Sequence, residues 1–259
     1  MRVLFAGTPQ FAIPALRSIA DQFEVCCVLT SPIRPSGRSQ RSSVSPVQSE
    51  AERLGIPVKS PARLDAFSMQ KLADFRADIL VVAAYGLIFT KHFLDLFPYG
   101  TLNVHPSLLP RHRGAAPIPA AILADDRETG VSIQRVVRRV DSGPILNRRI
   151  RTLDGTETTG KLTTELAEVG ADLLIETLNA VRSRTSKEVE QVDKDATYCS
   201  KVTVDDGQID WLIDDAFSIE RKVRAFTPWP HAHCRLGKRR LNLLAAKVFS
   251  TEELGQPGQ

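Results

Sequence analysis

Short apolar runs alternate with amphipathic stretches through the first half of the chain, and this alternation constrains the fold more than any other feature. Residues 2–6, 25–30, 78–84 and 101–104 read as strands, several rich in Val, Ile and Leu on successive positions, as expected of a sheet buried on both faces. Between them Phe11, Ala15 and Ile19, then Ala51 and Leu54, then Phe67, Leu72 and Phe75 recur at helical spacing. Strand, helix, strand in this order predicts a parallel sheet with right-handed crossovers. Residues 131–137 and 144–150 read as further strands joined through Asp141-Ser142-Gly143-Pro144, and 156–181 as a long closing helix carrying Leu162, Leu166, Val169, Leu173 and Leu174. After a polar stretch at 183–195 the pattern changes to Ile209-Asp210-Trp211, a short helix near 215–225, Pro228-Trp229-Pro230 and a strand over 240–248. The expected class is α/β, a mostly parallel sheet with flanking helices followed by a smaller β subdomain. The expected division is 1–182, a linker at 183–202, and 203–259.

Composition narrows the function classes. Lys and Arg number 34 against 30 Asp and Glu, and a net charge of +4 is too small to announce a nucleic-acid partner. Hydrophobic content of 42% and charged content of 25% exclude a disordered or coiled-coil chain. The longest apolar run, residues 79–84, has strand length, far below the roughly 20 residues of a membrane-spanning helix. The start of the chain has no signal-peptide pattern, and Cys26, Cys27, Cys199 and Cys234 have neither CxxC nor metal-ligand spacing. Reduced thiols, a cytoplasmic location and no metal are expected. Gly7-Thr8-Pro9-Gln10-Phe11 follows the first strand, but a dinucleotide fingerprint needs three glycines and only one is present. A plain turn or a weaker anion contact remains.

The densest chemical text is Asn103-Val104-His105-Pro106-Ser107-Leu108-Leu109-Pro110-Arg111-His112-Arg113-Gly114. Asn103 and His105 stand two apart at a strand end, so their side chains share a face, and ligands of open α/β sheets bind beyond such ends. An amide and an imidazole on one face can donate to an oxygen gaining negative charge, as acyl transfer requires. Asp141 is the best remaining carboxylate to set the His105 tautomer or to take a proton. By spacing alone these residues also read as satisfied structural polars. Ser107 reads as bonding local backbone rather than as a nucleophile, and no Gly-x-Ser-x-Gly elbow is present.

The run from Asn103 to Pro110, followed by Arg113-Gly114-Ala115-Ala116-Pro117-Ile118 and Asp141-Ser142-Gly143, resembles the formyltransferases that use 10-formyltetrahydrofolate. Phe5-Ala6-Gly7-Thr8-Pro9, Ala84-Tyr85-Gly86-Leu87-Ile88, Ile209-Asp210-Trp211 and Arg224-Ala225-Phe226-Thr227-Pro228-Trp229-Pro230 are similar to the branch that formylates methionyl-tRNA. The resemblance runs in order along essentially the whole chain. It implies a Rossmann-like catalytic domain in which Asn103 and His105 stabilise an oxyanion and Asp141 assists proton transfer. It places the folate co-substrate against Ala84, Tyr85, Gly86, Leu87, Ile88, Ser107, Leu108, Leu109 and Pro110. Initiator methionyl-tRNA is the implied partner of a monomer, with Arg38 as the favoured contact in a cationic loop and Arg34 and Arg41 beside it. Arg221 to Lys247 adds a second basic stretch suited to phosphates.

Some positions depart from the family text. Ile33 stands where an acidic residue is usual, Phe89-Thr90 replaces an apolar residue and Pro, and residues 136–140 read Val-Val-Arg-Arg-Val ahead of Asp141. A differently shaped turn into Asp141 is therefore expected. The family's C-terminal unit is an OB-like barrel, and the chain after Tyr198 is short for one, which implies a truncated OB-like subdomain. Three readings stay open: formyl transfer to methionyl-tRNA; formyl transfer to a small amine such as an amino sugar nucleotide, or formyltetrahydrofolate hydrolysis; and a non-catalytic folate- or RNA-binding protein.

Overall fold

The computed structural model describes residues 1–32, 34–36 and 41–249. Strand β1 (Arg2–Gly7), buried from Val3 onward, feeds helix α1 (Ile13–Gln22). Pro14 sits in the first turn of α1, where its missing N–H is no loss, and Ile13, Ala15, Leu16 and Ile19 face the core. Then follow β2 (Glu24–Leu29), the short strands β3 (Arg34–Ser36) and β4 (Arg41–Ser43), α2 (Pro46–Arg53), β5 (Val58–Lys59) and α3 (Ala66–Ala73). Ser45 and Asp65 cap α2 and α3 by accepting from the third helical N–H. The chain continues through β6 (Ile79–Ala83), α4 (Lys91–Leu94), β7 (Thr101–His105), β8 (Arg113–Gly114), α5 (Pro117–Leu123), β9 (Glu128–Arg135) and β10 (Ile145–Thr152). The 24-residue helix α6 (Thr159–Arg182) buries Leu162, Leu166, Leu173, Leu174 and Leu178 against the sheet.

The main sheet has seven strands in the order β10-β9-β7-β6-β1-β2-β5. The strands from β5 to β7 are parallel, whereas β9 is antiparallel to both β7 and β10. The chain moves outward from β1 to β5 and then crosses to β6 on the other side of β1. This reversal opens a crevice beyond the carboxyl ends of β1 and β6, where Gly7 and Ala83 are register partners. Asn103 and His105 end the next strand over.

An ion cluster around one buried carboxylate ties helix to helix. Glu50 of α2 is 6% exposed, with Arg17 of α1 at 2.6 Å and Arg53 at 2.7 Å. Hydrogen bonds from Arg17, then Arg53, hold its carboxyl down at about 2, against the usual 4.5. A depressed carboxylate stabilises the fold above its unfolded value, and that contribution is lost as pH falls through the folded value. Glu50→Gln should therefore flatten the melting temperature against pH between about 4.5 and 2. An unchanged slope there would remove the cluster from acid stability.

The segment after α6 does not run free. It runs back over the domain of the main sheet and supplies β11 (Tyr198–Cys199), which pairs in parallel with β8. Helix α7 (Ala216–Ala225) then packs on α5, and the N-terminus of α6 meets its end, with Thr159 Oγ1 donating to the Ala225 carbonyl at 2.6 Å. The hairpin β12 (Ala232–Leu236) and β13 (Arg239–Leu243) closes over a small cluster of Ile209, Val223 and Ala232. The strand expected over 240–248 is thus β13, ending at Leu243, and β12 is its partner across the Gly237-Lys238 turn. The strands expected over 131–137 and 144–150 are β9 and β10, each displaced by one to three residues at its ends.

Candidate active site

Asn103 and His105 leave β7 on the same face. His105 is 4% exposed, and its Nε2 lies 3.0 Å from the carbonyl oxygen of His112. A carbonyl can only accept, so Nε2 carries a proton and Nδ1 is the ring's remaining position. Nδ1 faces Asp141 Oδ2 at 3.6 Å. Asp141 arrives from the β9–β10 turn with a left-handed φ of 48°. Its Oδ1 accepts from Asn103 Nδ2 at 3.3 Å and Gln134 Nε2 at 2.8 Å, and its Oδ2 from the Gly114 N–H at 2.9 Å. The structure therefore brings Asn103, His105 and Asp141 together. The His112 carbonyl holds the proton on His105 Nε2 and leaves Nδ1 toward Asp141.

The loop after β7 is braced from below. Ser107 and Leu109 are fully buried, the Ser107 hydroxyl donates to the Arg111 carbonyl at 2.6 Å, and Ser132 bridges the Ser107 carbonyl and the Leu109 N–H. His112, at a φ of 56°, is held by Asp126, whose Oδ2 lies 2.6 Å from its Nε2, and by the Thr197 hydroxyl on its N–H. Arg111 also pairs with Asp126. Gly114 has a φ of 122°, and a Cβ there would collide with the Cys199 carbonyl. A Cβ on Gly143 would likewise collide with the Arg135 carbonyl. Glycine at 114 is what lets β8 lie against β11 while its N–H points at Asp141.

At the carboxyl end of β6, Ala84 takes a left-handed φ of 51°. The backbone groups of residues 85–88 have no hydrogen-bond partner among the described residues, and Ile88 is 80% exposed. Unengaged peptide groups beside an apolar side chain suit a flat heterocycle with amide edges. Tyr85 is placed otherwise: its ring stacks on Phe89 at 5.7 Å, in the row continued by Phe93 and Phe97. Burial pushes its unpartnered hydroxyl up to about 12. Leu87 is half-buried, and Leu108 and Pro110 are half-buried in the braced loop.

The cationic residues divide. Arg34 and Arg41 lie on β3 and β4, which pair antiparallel where a loop was expected, with Ser36 opposite Arg41; Arg38 lies outside the described residues. Arg135 turns to the Tyr99 carbonyl and Glu188, Arg149 to Glu176, and Arg151 to Glu157 and Glu165. Two residues ahead of Asp141, Arg139 reaches the segment behind the site, at Asp193 and Tyr198. Downstream, Lys222 pairs with Asp214, Arg224 with Glu220 and Arg221 with Asp125. Among the described residues no cluster of three His, Cys, Asp or Glu could hold a metal ion, and no helix is long and apolar enough to cross a membrane.

Two residues at the site escaped sequence reasoning, Gln134 and Gln191. Gln134, which follows Ile133 near the end of β9, is 1% exposed, and an amide at an inward strand position was the available signal. Gln191 lies in a polar stretch and had none.

Residues 1–178 match the formyl transferase family, and residues 201–259 match the formyl transferase C-terminal domain. The methionyl-tRNA formyltransferase of Methylococcus capsulatus is 42% identical over 261 residues, covering 100% of this chain and 84% of that protein. Among solved structures, a sugar N-formyltransferase from a Shewanella species superposes with a TM-score of 0.73 at 15% identity, over 96% of this chain and 99% of that one. HypX from Aquifex aeolicus, solved with tetrahydrofolic acid, has a TM-score of 0.68 at 18% identity, over 100% of this chain and 40% of that one. The last two share the fold.

Proposed function

The chain belongs to the formyl transferase family, and from that premise we propose that it transfers a formyl group from 10-formyltetrahydrofolate to the amino group of methionine on initiator methionyl-tRNA, for translation initiation. The observation that carries this reading is the convergence of Asn103, His105 and Asp141 beside the sheet's crossover crevice, in a chain whose relatives act on methionyl-tRNA.

The folate co-substrate supplies the formyl group, carried on its N10. Residues 84–88, the loop from Ser107 to Pro110 and the Asp141 turn form its binding wall. One Asn103 N–H is turned to Asp141; the other donates to the oxygen that gains charge as the amine adds to the formyl carbon. His105 contributes at Nδ1, because its Nε2 proton is engaged by the His112 carbonyl. Together with Asp141 it takes the proton released by the attacking nitrogen and returns one to the departing nitrogen. One C–N bond forms and one breaks, and the proton count closes.

Residues 1–182 do the chemistry, 183–202 link, and 203–259 bind tRNA, with Arg34, Arg38 and Arg41 at the acceptor end. The enzyme works as a monomer in the cytoplasm. The test is a formylation assay over a salt series. Formylmethionyl-tRNA should form, and log affinity should fall with log salt by about 0.7 to 0.9 per phosphate contact. Arg38→Glu should weaken binding and flatten that slope. No product where a control enzyme succeeds would sink the reading, and formate release without tRNA would assign hydrolysis instead.

A further inference from the structure

We infer that Gln191, in the segment linking the two domains, is a positioning residue for Asp141, acting directly and through Gln134, with the direction of the chain set by buried Arg113. The inference rests on the formyl-transfer reading above and adds to it residues that touch no substrate.

The argument starts at Arg113, whose side chain is 0% exposed. Its Nε and Nη2 both donate to Gln191 Oε1, at 3.0 and 2.8 Å. A guanidinium has donors only, so the Gln191 oxygen must face it and the Gln191 amide nitrogen must face the other way. That nitrogen lies 2.7 Å from the Gly143 carbonyl, 3.0 Å from the Asp141 carbonyl and 3.3 Å from Gln134 Oε1. With its oxygen engaged there, Gln134 presents its own NH2 to Asp141 Oδ1 at 2.8 Å. Each amide thus carries its oxygen behind and its donors ahead. Flipping either one would set N–H against N–H in a buried site.

Arg113 is fixed in turn. Its Nη1 lies 2.9 Å from Asp193 Oδ1 and 3.2 Å from the Tyr198 hydroxyl, and Arg139 binds the same two groups at 2.6 and 2.8 Å. The Arg113 hydrogen bond, then that from Arg139, holds the Asp193 carboxyl below its ordinary value. Gln191, Asp193 and Tyr198 all belong to the linking segment. That segment therefore grips both ends of the catalytic turn, the Asp141 and Gly143 carbonyls, and through Gln134 the carboxylate itself. The grip falls on a residue at a left-handed φ of 48°, a conformation that persists only where the surroundings enforce it.

Two variants separate positioning from folding. Gln191→Glu keeps an oxygen for Arg113 but removes the donors facing the turn; Gln191→Leu removes both at similar volume. In each, kcat should fall about 10- to 100-fold, the range expected of misplaced catalytic groups. KM for either substrate should move less than about 2-fold, and both variants should still melt cooperatively as folded proteins. In an Asp141→Asn background the same substitutions should add less than about a further 2-fold, because their effect runs through that carboxylate. Wild-type kcat in both variants, a change confined to KM, or an undiminished loss in the Asp141→Asn background overturns the inference. Hydrogen exchange at the Ser142 and Gly143 amides reads the grip without catalysis and should quicken in both variants. Unchanged exchange overturns the inference whatever the activity, whereas quickened exchange in a chain whose wild type makes no formylmethionyl-tRNA sinks the functional reading alone.

Discussion

Replacing Asn103 with alanine should lower kcat by about 100- to 1000-fold, the loss typical of removing one oxyanion donor. The side chain has little structural work to mask that effect. Its one side-chain hydrogen bond among the described residues, 3.3 Å to Asp141, is the longest Asp141 accepts there, and Gln134 and Gly114 still hold the carboxylate when it is gone. The backbone ladder of Asn103 with Val82 and Gln134 is untouched. KM should therefore stay close to wild type while kcat falls, since the missing donor acts where charge develops. Steady-state kinetics beside a thermal melt decide the matter. A fall of less than about 10-fold in a folded variant would take Asn103 out of charge stabilisation.

Asp141→Asn should cost at least about 100-fold in kcat. Asparagine tolerates positive φ well, so the backbone at 48° is compatible with the change. Two donors, Asn103 and Gln134, point at one oxygen position. The new amide must place its oxygen there, which puts its NH2 at the position facing His105 Nδ1 and the Gly114 N–H. A proton acceptor is replaced by a donor at the atom where a proton must be taken up, and one N–H is set against another. Single-turnover formylation by a variant that melts as a folded protein gives the measure. Activity within about 5-fold of wild type would assign the proton to His105 alone.

The sheet and the long helix were legible because burial on two faces leaves continuous apolar runs, as in residues 79–83, and burial on one face leaves a period, as in Leu162, Leu166 and Leu173. Asn103 and His105 could be paired from their spacing on one strand. Asp141 was reached by chemistry and resemblance, and its distance from His105 could not be: 35 residues intervene, and β9, which leads to Asp141, runs antiparallel to β7. The two-residue ladder of β8 and β11 left no pattern, because two residues have no period and their partners lie 85 positions apart. The left-handed backbones of Ala84, His112 and Asp141 were equally silent, since none is the glycine that would advertise them. The charge at Arg221, Lys222 and Arg224 gave no sign of its partners. Read along the chain it is a basic stretch, but in space each cation meets a carboxylate.

The pairing of β8 with β11 bears on how such a chain can be inherited in pieces. The seam that sequence suggests at residue 182 would separate Gln191, Thr197 and Cys199 from His112, Arg113 and Gly114, which they contact directly. A recombinant joined there would set one parent's linker against the other parent's catalytic loop, where a Gly114 without room for a Cβ allows no slack. A unit that keeps these contacts together runs at least to residue 202, so in any exchange among relatives residues 183–202 stay with the residues before them.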